Sequence, residues 1–309
     1  MQRLDDLVAA GTELRTPDGW AAKTYNYLRL GMLVAVAALA YSIIEEYRQP
    51  GVHCFLGSIS GYYYTPVRPI FIGVMVAIGF ALIVIKGRTP LEDWFLSLAG
   101  IMAPIVAFIP TSDDKTGVCR EEMLKIGHYQ PYKADGFVPA SINNNLHALV
   151  FAGFTAIVLA CIVFLIQRRP IGSGAWKSLA GGFLLVIVGW SLLHWAYGWV
   201  LDGHARAAIA MFGFLAAAAI TNSVLGFKYG HTKKVYSWTY GIVGAAMIVF
   251  GLLFVLCKAF DWSSLGGHLV LTIEAVEISL FVAFWIAQTF ERWDNTVGPA
   301  VASGPPAAA

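Results

Sequence analysis

Ionisable side chains stand inside apolar runs at His147 in "NNNLHALVF", His194 in "WSLLHWAYGW", and Glu274 and Glu277 in "HLVLTIEAVEISLF". Such groups are costly in hydrocarbon and usually face a bundle interior or a water-filled cavity. Glu274 and Glu277 are neighbours on one helix face, because i and i+3 positions meet. A histidine beside a carboxylate can act as a general base or orient a ligand, so His147, His194, Glu274 and Glu277 are the catalytic candidates. A second group crowds the start of an apolar run in "GSISGYYYTPVRPIFIG", residues 57–73. Ser58, Ser60, Tyr63, Tyr64 and Arg68, with Asn144 ahead of His147, are the ligand-binding candidates. Their hydroxyls and amide suit a polar head. Arg68 suits an anionic one, since a guanidinium grips phosphate or carboxylate through two parallel bonds.

Each residue also has a structural reading. Tyrosines at the end of an apolar run match the aromatic belt of a membrane interface. Pro66 and Pro69 suit a first helical turn. Arg68 can snorkel to the headgroups, and an Arg68–Glu274 pair can simply hold two helices together. His147 can cap with Asn143 and Asn144, and His194, flanked by Trp190 and Trp195, can belong to the belt. Other chemistries lack their motifs. No HxxxH or HExxH spacing supports zinc, although His204 and His268 could join the other histidines as ligands. "GSISG" lies in a loop and is not a nucleophile elbow. No phosphate-binding loop or haem-attachment motif occurs, and no metal or cofactor is expected. A net charge of +2 and the lack of basic runs interleaved with aromatics argue against nucleic acid.

The elements that must position these residues are helices in a bilayer. The chain is 58% hydrophobic and 13% charged, against about a quarter charged in soluble domains. Apolar runs long enough to cross roughly 30 Å of hydrocarbon cover approximately 27–45, 67–86, 91–110, 144–167, 177–199, 206–226, 236–258 and 267–290. The expected fold is an all-α polytopic transmembrane helical bundle of seven or eight spans. Residues 1–26 form a short N-terminal segment that is not a cleavable signal. Residues 27–290 form the membrane domain, and the Pro/Ala/Gly-rich residues 291–309 form a disordered tail. The second and third spans make a tight hairpin around "KGRTP".

Basic residues in short loops set the orientation. Lys86, Arg88, Arg168, Arg169, Lys177, Lys228, Lys233 and Lys234 fall on one side, against Arg206 and Lys258 on the other. Both termini are therefore placed in the cytoplasm, with the plasma membrane, a bacterial inner membrane, as the location. Cys54 and Cys119 fall in outer loops, where disulfides persist, and are expected to pair. Counted at 1.5 Å per residue, Arg68, His147, His194 and Glu274 lie within roughly 12 Å of the outer surface. The inner ends offer mainly Thr221 and Asn222. A polar cavity open to the outer leaflet is the expectation.

At "SISGYYYTPVRPIFIG", "NNNLHALVFAG" and "IEAVEISLFVAFW" the chain resembles an uncharacterised bacterial family of polytopic membrane proteins. The matching positions are Ser58, Ser60, Tyr63, Tyr64, Arg68, Asn144, His147 and Glu277 or Glu274. That family is distantly similar to the CREST superfamily of membrane hydrolases and receptors, whose metal hydrolases carry an HxxxH pair in a late helix. Glu274 and Glu277 stand at that place here, which argues against zinc-dependent amide hydrolysis. The leading expectation is a membrane protein whose partners are the bilayer and a lipid or amphiphile, which it binds, or binds and modifies. A proton-coupled carrier titrating at Glu277 and a structural subunit of a membrane complex are the alternatives.

Overall fold

Gly79 and Gly100 face each other where two helices cross so closely that neither position admits a side chain. A Cβ on Gly79 would lie 2.7 Å from the Gly100 carbonyl oxygen, and one on Gly100 2.6 Å from that of Gly79. Small residues allow such backbone approach between helices in lipid, where packing rather than water exclusion drives association.

The computed structural model describes residues 19–111, 119–133, 136–167, 181–184, 186–192, 203–230, 232–260 and 267–297. The described residues are helical or irregular, with no strand among them. In chain order the helices are α1 Gly19–Arg48, α2 Arg68–Val84, α3 Pro90–Phe108, α4 Arg120–Lys125, α5 Phe137–Gln167, α6 His204–Tyr229, α7 Lys234–Ala259 and α8 Leu269–Val297. A 3-10 turn, Ser60–Tyr64, precedes α2. Six of the helices, α1, α3, α5, α6, α7 and α8, are long and apolar enough to cross a membrane. α2 and the stretch Gly181–Leu192 are apolar but shorter. Local signals set the ends. Thr89 caps α3 by accepting the Glu92 N–H at 3.2 Å, with Pro90 in the first turn. Gly230 in the left-handed region closes α6.

Six helices form a closed ring. α1 packs on α2, α2 on α3, α3 on α6, α6 on α7, α7 on α8 and α8 back on α1. Successive members of the ring run in opposite directions. α5 packs through Gly153 and Val150 against the 181–192 stretch. It packs on α3 and, through Phe137, reaches Arg68 of α2, and its apolar window has no buried residue.

One end of the ring is closed by the loop after α1. Cys54 and Cys119 stand at disulfide distance, with Cα atoms 5.9 Å apart, within the range that disulfides span. Tyr62 and Tyr63 are fully buried and Tyr64 nearly so. This corrects the interface-belt reading of the tyrosines: they form a plug inside the mouth of the ring. Tyr64 donates to the Thr111 carbonyl at 2.7 Å and accepts the Gln130 N–H on its own carbonyl at 2.8 Å. The Leu271 N–H of α8 donates to Gly57 at 2.9 Å. Irregular backbone is tolerated at such a place because protein, rather than lipid, surrounds it. Burial pushes the Tyr62 phenol up to about 12, so it stays neutral and accepts the Leu56 N–H at 3.3 Å.

The opposite end, which carries the 85–89 and 230–233 loops, corrects another expectation. The sequence reading found it poor in polar groups, yet it holds a buried ionic network. Glu291 faces Arg88 Nη2 at 2.7 Å and accepts from the Tyr240 hydroxyl at 2.6 Å and from Thr232. Glu92 accepts from the Arg88 N–H at 2.6 Å and from Gln288 Nε2 at 2.7 Å. Arg29 donates to Asn26 at 2.9 Å and to Gln288 at 3.3 Å, above the Trp285 ring. Arg29, Glu92, Gln288 and Glu291 are all almost wholly buried. α8 is helical as far as Val297, so Glu291 and Arg292, which the sequence assigned to the tail, are part of the bundle.

Candidate functional site

Two adjoining chambers lie inside the ring beneath the plug. The first, about 80 Å³, runs along α2 past Phe71, Val74, Ile78 and Leu82, between α1 and α6. From Phe71 to Leu82 this wall extends roughly 16 Å at 1.5 Å per residue. The second, about 230 Å³, lies between α6, α7 and α8 and is lined by Phe212, Met247, Gly251 and Phe254. Ser60, His204, Ala208, Phe212 and Glu274 border both chambers. Polar groups thus converge where the chambers meet, and the rest of the walls is overwhelmingly apolar. Small-molecule sites commonly have this construction, in which a few placed polar groups orient an otherwise apolar ligand.

Glu274 projects from the second turn of α8 into the plug. Ser58 Oγ lies 2.9 Å from each of its oxygens, the Ile59 N–H donates to it at 2.5 Å, and Ser60 Oγ donates at 3.3 Å. The loop is therefore tied to α8 by a carboxylate that accepts from consecutive residues. One turn on, Glu277 is 3% exposed and borders the second chamber. Neither of its carboxyl oxygens has a hydrogen-bond partner among the described residues. A Cβ on Gly251 would stand 3.9 Å from Glu277 Oε1, so the carboxyl points across the chamber towards α7. His204, at the first position of α6, donates Nδ1–H to the Ile109 carbonyl at 2.5 Å, which fixes its ring at the border of both chambers.

The structure brings together only part of the set expected from sequence. Ser58, Ser60, Glu274 and Glu277 meet. Arg68 does not pair with Glu274. Its guanidinium donates to the Tyr63 carbonyl and stacks 4.6 Å from the Tyr63 ring, with Phe137 at 5.8 Å. Five residues separate Arg68 from its acceptor, so the contact that holds Nε is local, while Nη2 has no hydrogen-bond partner among the described residues. Tyr63 and Tyr64 support the site as packing and do not line it. Asn144 is exposed on α5, and His147 bonds the Asn143 carbonyl at 2.8 Å beside Trp190. Both lie on the helix outside the ring, away from the chambers. His194 lies outside the described residues. The histidine the structure places at the site is His204, which the sequence offered only as a zinc ligand. Its signal was its position at the very start of an apolar run.

Cys54, Cys119 and Glu122 bring three ligating atoms within 4.8 Å of one another. With both sulfurs at disulfide distance a single carboxyl remains, too few donors for a metal ion. No family model, curated protein or solved structure matches this chain.

Proposed function

We propose that this multi-span helical membrane protein binds an amphiphile, with the polar head beneath the plug and the apolar body in the chambers. The observation that carries the reading is the convergence of Ser60, His204 and Glu274, with Ser58 beside them, at the junction of two apolar chambers. An apolar cavity reached through the ring offers a lipid tail what the bilayer offers, and the placed polar groups add orientation. Arg68 has no part in the head's binding, so the expected preference for an anionic headgroup is not carried forward.

The test is the composition of what the protein retains. Protein purified in mild detergent should carry an amphiphile enriched over bulk lipid in its mass spectrum. Ala208→Phe, which fills the border of both chambers, should reduce that enrichment about tenfold without changing the folded yield. Retained lipid that mirrors the membrane, equally in both proteins, would sink the proposal.

The charge pattern of the short loops supports eight spans with both termini in the cytoplasm of a plasma membrane and the plug on the extracytoplasmic side. In intact cells, a cysteine introduced at Gly203 should react with an impermeant thiol reagent, and one at Lys233 should not. The opposite labelling would invert the orientation and move the site to the cytoplasmic leaflet.

A further inference from the structure

The two carboxyl groups of α8 are treated differently by the fold. Glu274 has both oxygens engaged by the plug. Glu277 has neither oxygen engaged among the described residues, although it is 3% exposed. A carboxylate buried without a partner is strongly unfavourable. Protonation removes the charge but leaves the O–H and C=O without hydrogen-bond partners among the described residues. A partner from outside the chain, reaching the group through the chamber it borders, satisfies it.

From this we infer that the amphiphile bound here carries a cationic head, an alkylammonium group, and that Glu277 is its counter-ion. The inference rests on the amphiphile reading above and names its ligand class. Among the described residues no lysine or arginine lines either chamber. The buried cations Arg29 and Arg88 sit at the other end of the ring, held by Asn26, Gln288 and Glu291. Arg68 is held by Tyr63. Position 251 on α7 is glycine, and a Cβ there would stand 3.9 Å from Glu277 Oε1, so no side chain of α7 is interposed at that position. Phe212 and Phe254 line the same space, and aromatic faces attract cations more strongly once water is excluded. Glu274, one turn towards the plug, adds a second negative group bordering the same chamber.

The experiment uses the full chain in phosphatidylcholine nanodiscs and three probes of equal chain length: dodecylamine, dodecanol and dodecanoic acid. Affinity is read from quenching of tryptophan fluorescence. The amine should bind about tenfold or more tighter than the alcohol. Glu277→Gln should abolish that preference. Glu277→Asp, which keeps the charge, should retain a weaker preference. Equal binding of amine and alcohol by the wild-type protein would overturn the inference, and this comparison decides the matter even if Glu277→Gln does not fold. Tightest binding of the acid would overturn it as well, and so would a preference that survives Glu277→Gln, which would point to a bridging water or another acceptor. Binding of dodecanol without selectivity leaves the amphiphile reading standing. Failure of all three probes to bind removes both.

Discussion

Glu291→Leu should lower the unfolding free energy by about 3–5 kcal/mol, because it leaves the Arg88 guanidinium buried without its counter-ion. The carboxylate is 2% exposed and accepts from Arg88, Tyr240 and Thr232. These donors come from the α2–α3 loop, from α7 and from the α6–α7 loop, so one side chain on α8 ties three neighbouring segments together. Arg88→Leu should cost a similar amount. The double variant should recover part of the loss, since removing both charges of a buried pair costs less than stranding one. Sodium dodecyl sulfate titration of the protein in mild detergent gives the comparison. Strict additivity, or a loss from Glu291→Leu below about 1 kcal/mol as for an exposed pair, would show that the network contributes little. Arg68→Leu and Glu274→Leu, in contrast, should combine additively, because the two residues have separate partners.

Replacing Cys54 and Cys119 with serine should be comparably severe. The bond closes a loop between positions 65 apart in the chain, and the chain-entropy relation assigns such a loop about 4 kcal/mol. The effect should reach the site as well. Cys54 lies four residues before Ser58, and Ile59 and Ser60 roof the chambers. Loosening the loop should therefore reduce retained amphiphile along with stability. Thermal unfolding with and without a reductant measures the first effect, and mass spectrometry of extracted lipid the second. A protein equally stable with reductant, and equally loaded, would show that the plug holds without the staple.

The helices were legible because the hydrophobic pattern that places a helix in lipid is written locally. The runs at 27–45, 91–110, 206–226, 236–258 and 267–290 fall on α1, α3, α6, α7 and α8, and the run at 144–167 falls within α5. The pairing of Cys54 with Cys119 was also accessible, since only two cysteines lie outside the apolar runs. Glu274 and Glu277 stood out because an acid inside an apolar run needs a reason wherever it occurs.

Which of these groups meet was not legible, because partners are set by the angular position of each helix in the ring. Arg68 and Glu274 looked like a pair by depth alone. Depth is one coordinate, and the direction in which Arg68 leaves its helix turned it to the Tyr63 carbonyl. His147 shared that depth too, but α5 lies outside the ring, and the histidine at the chambers is His204 on α6. The ionic network escaped notice for a related reason. Arg29, Arg88, Glu92 and Glu291 each sit near the end of an apolar run, where a charge ordinarily reaches water. Only the convergence of α1, α3, α7 and α8 buries them together. By itself, the sequence determined that the chain is a bundle of apolar helices, with two acids on one helix face and cysteines able to staple its loops, because these follow from composition and short-range periodicity. The tertiary structure alone decided that the tyrosines plug the ring, that Glu274 is held and that Glu277 faces a chamber without a partner among the described residues. Those outcomes depend on the rotation and order of helices far apart in the chain, which no local pattern encodes.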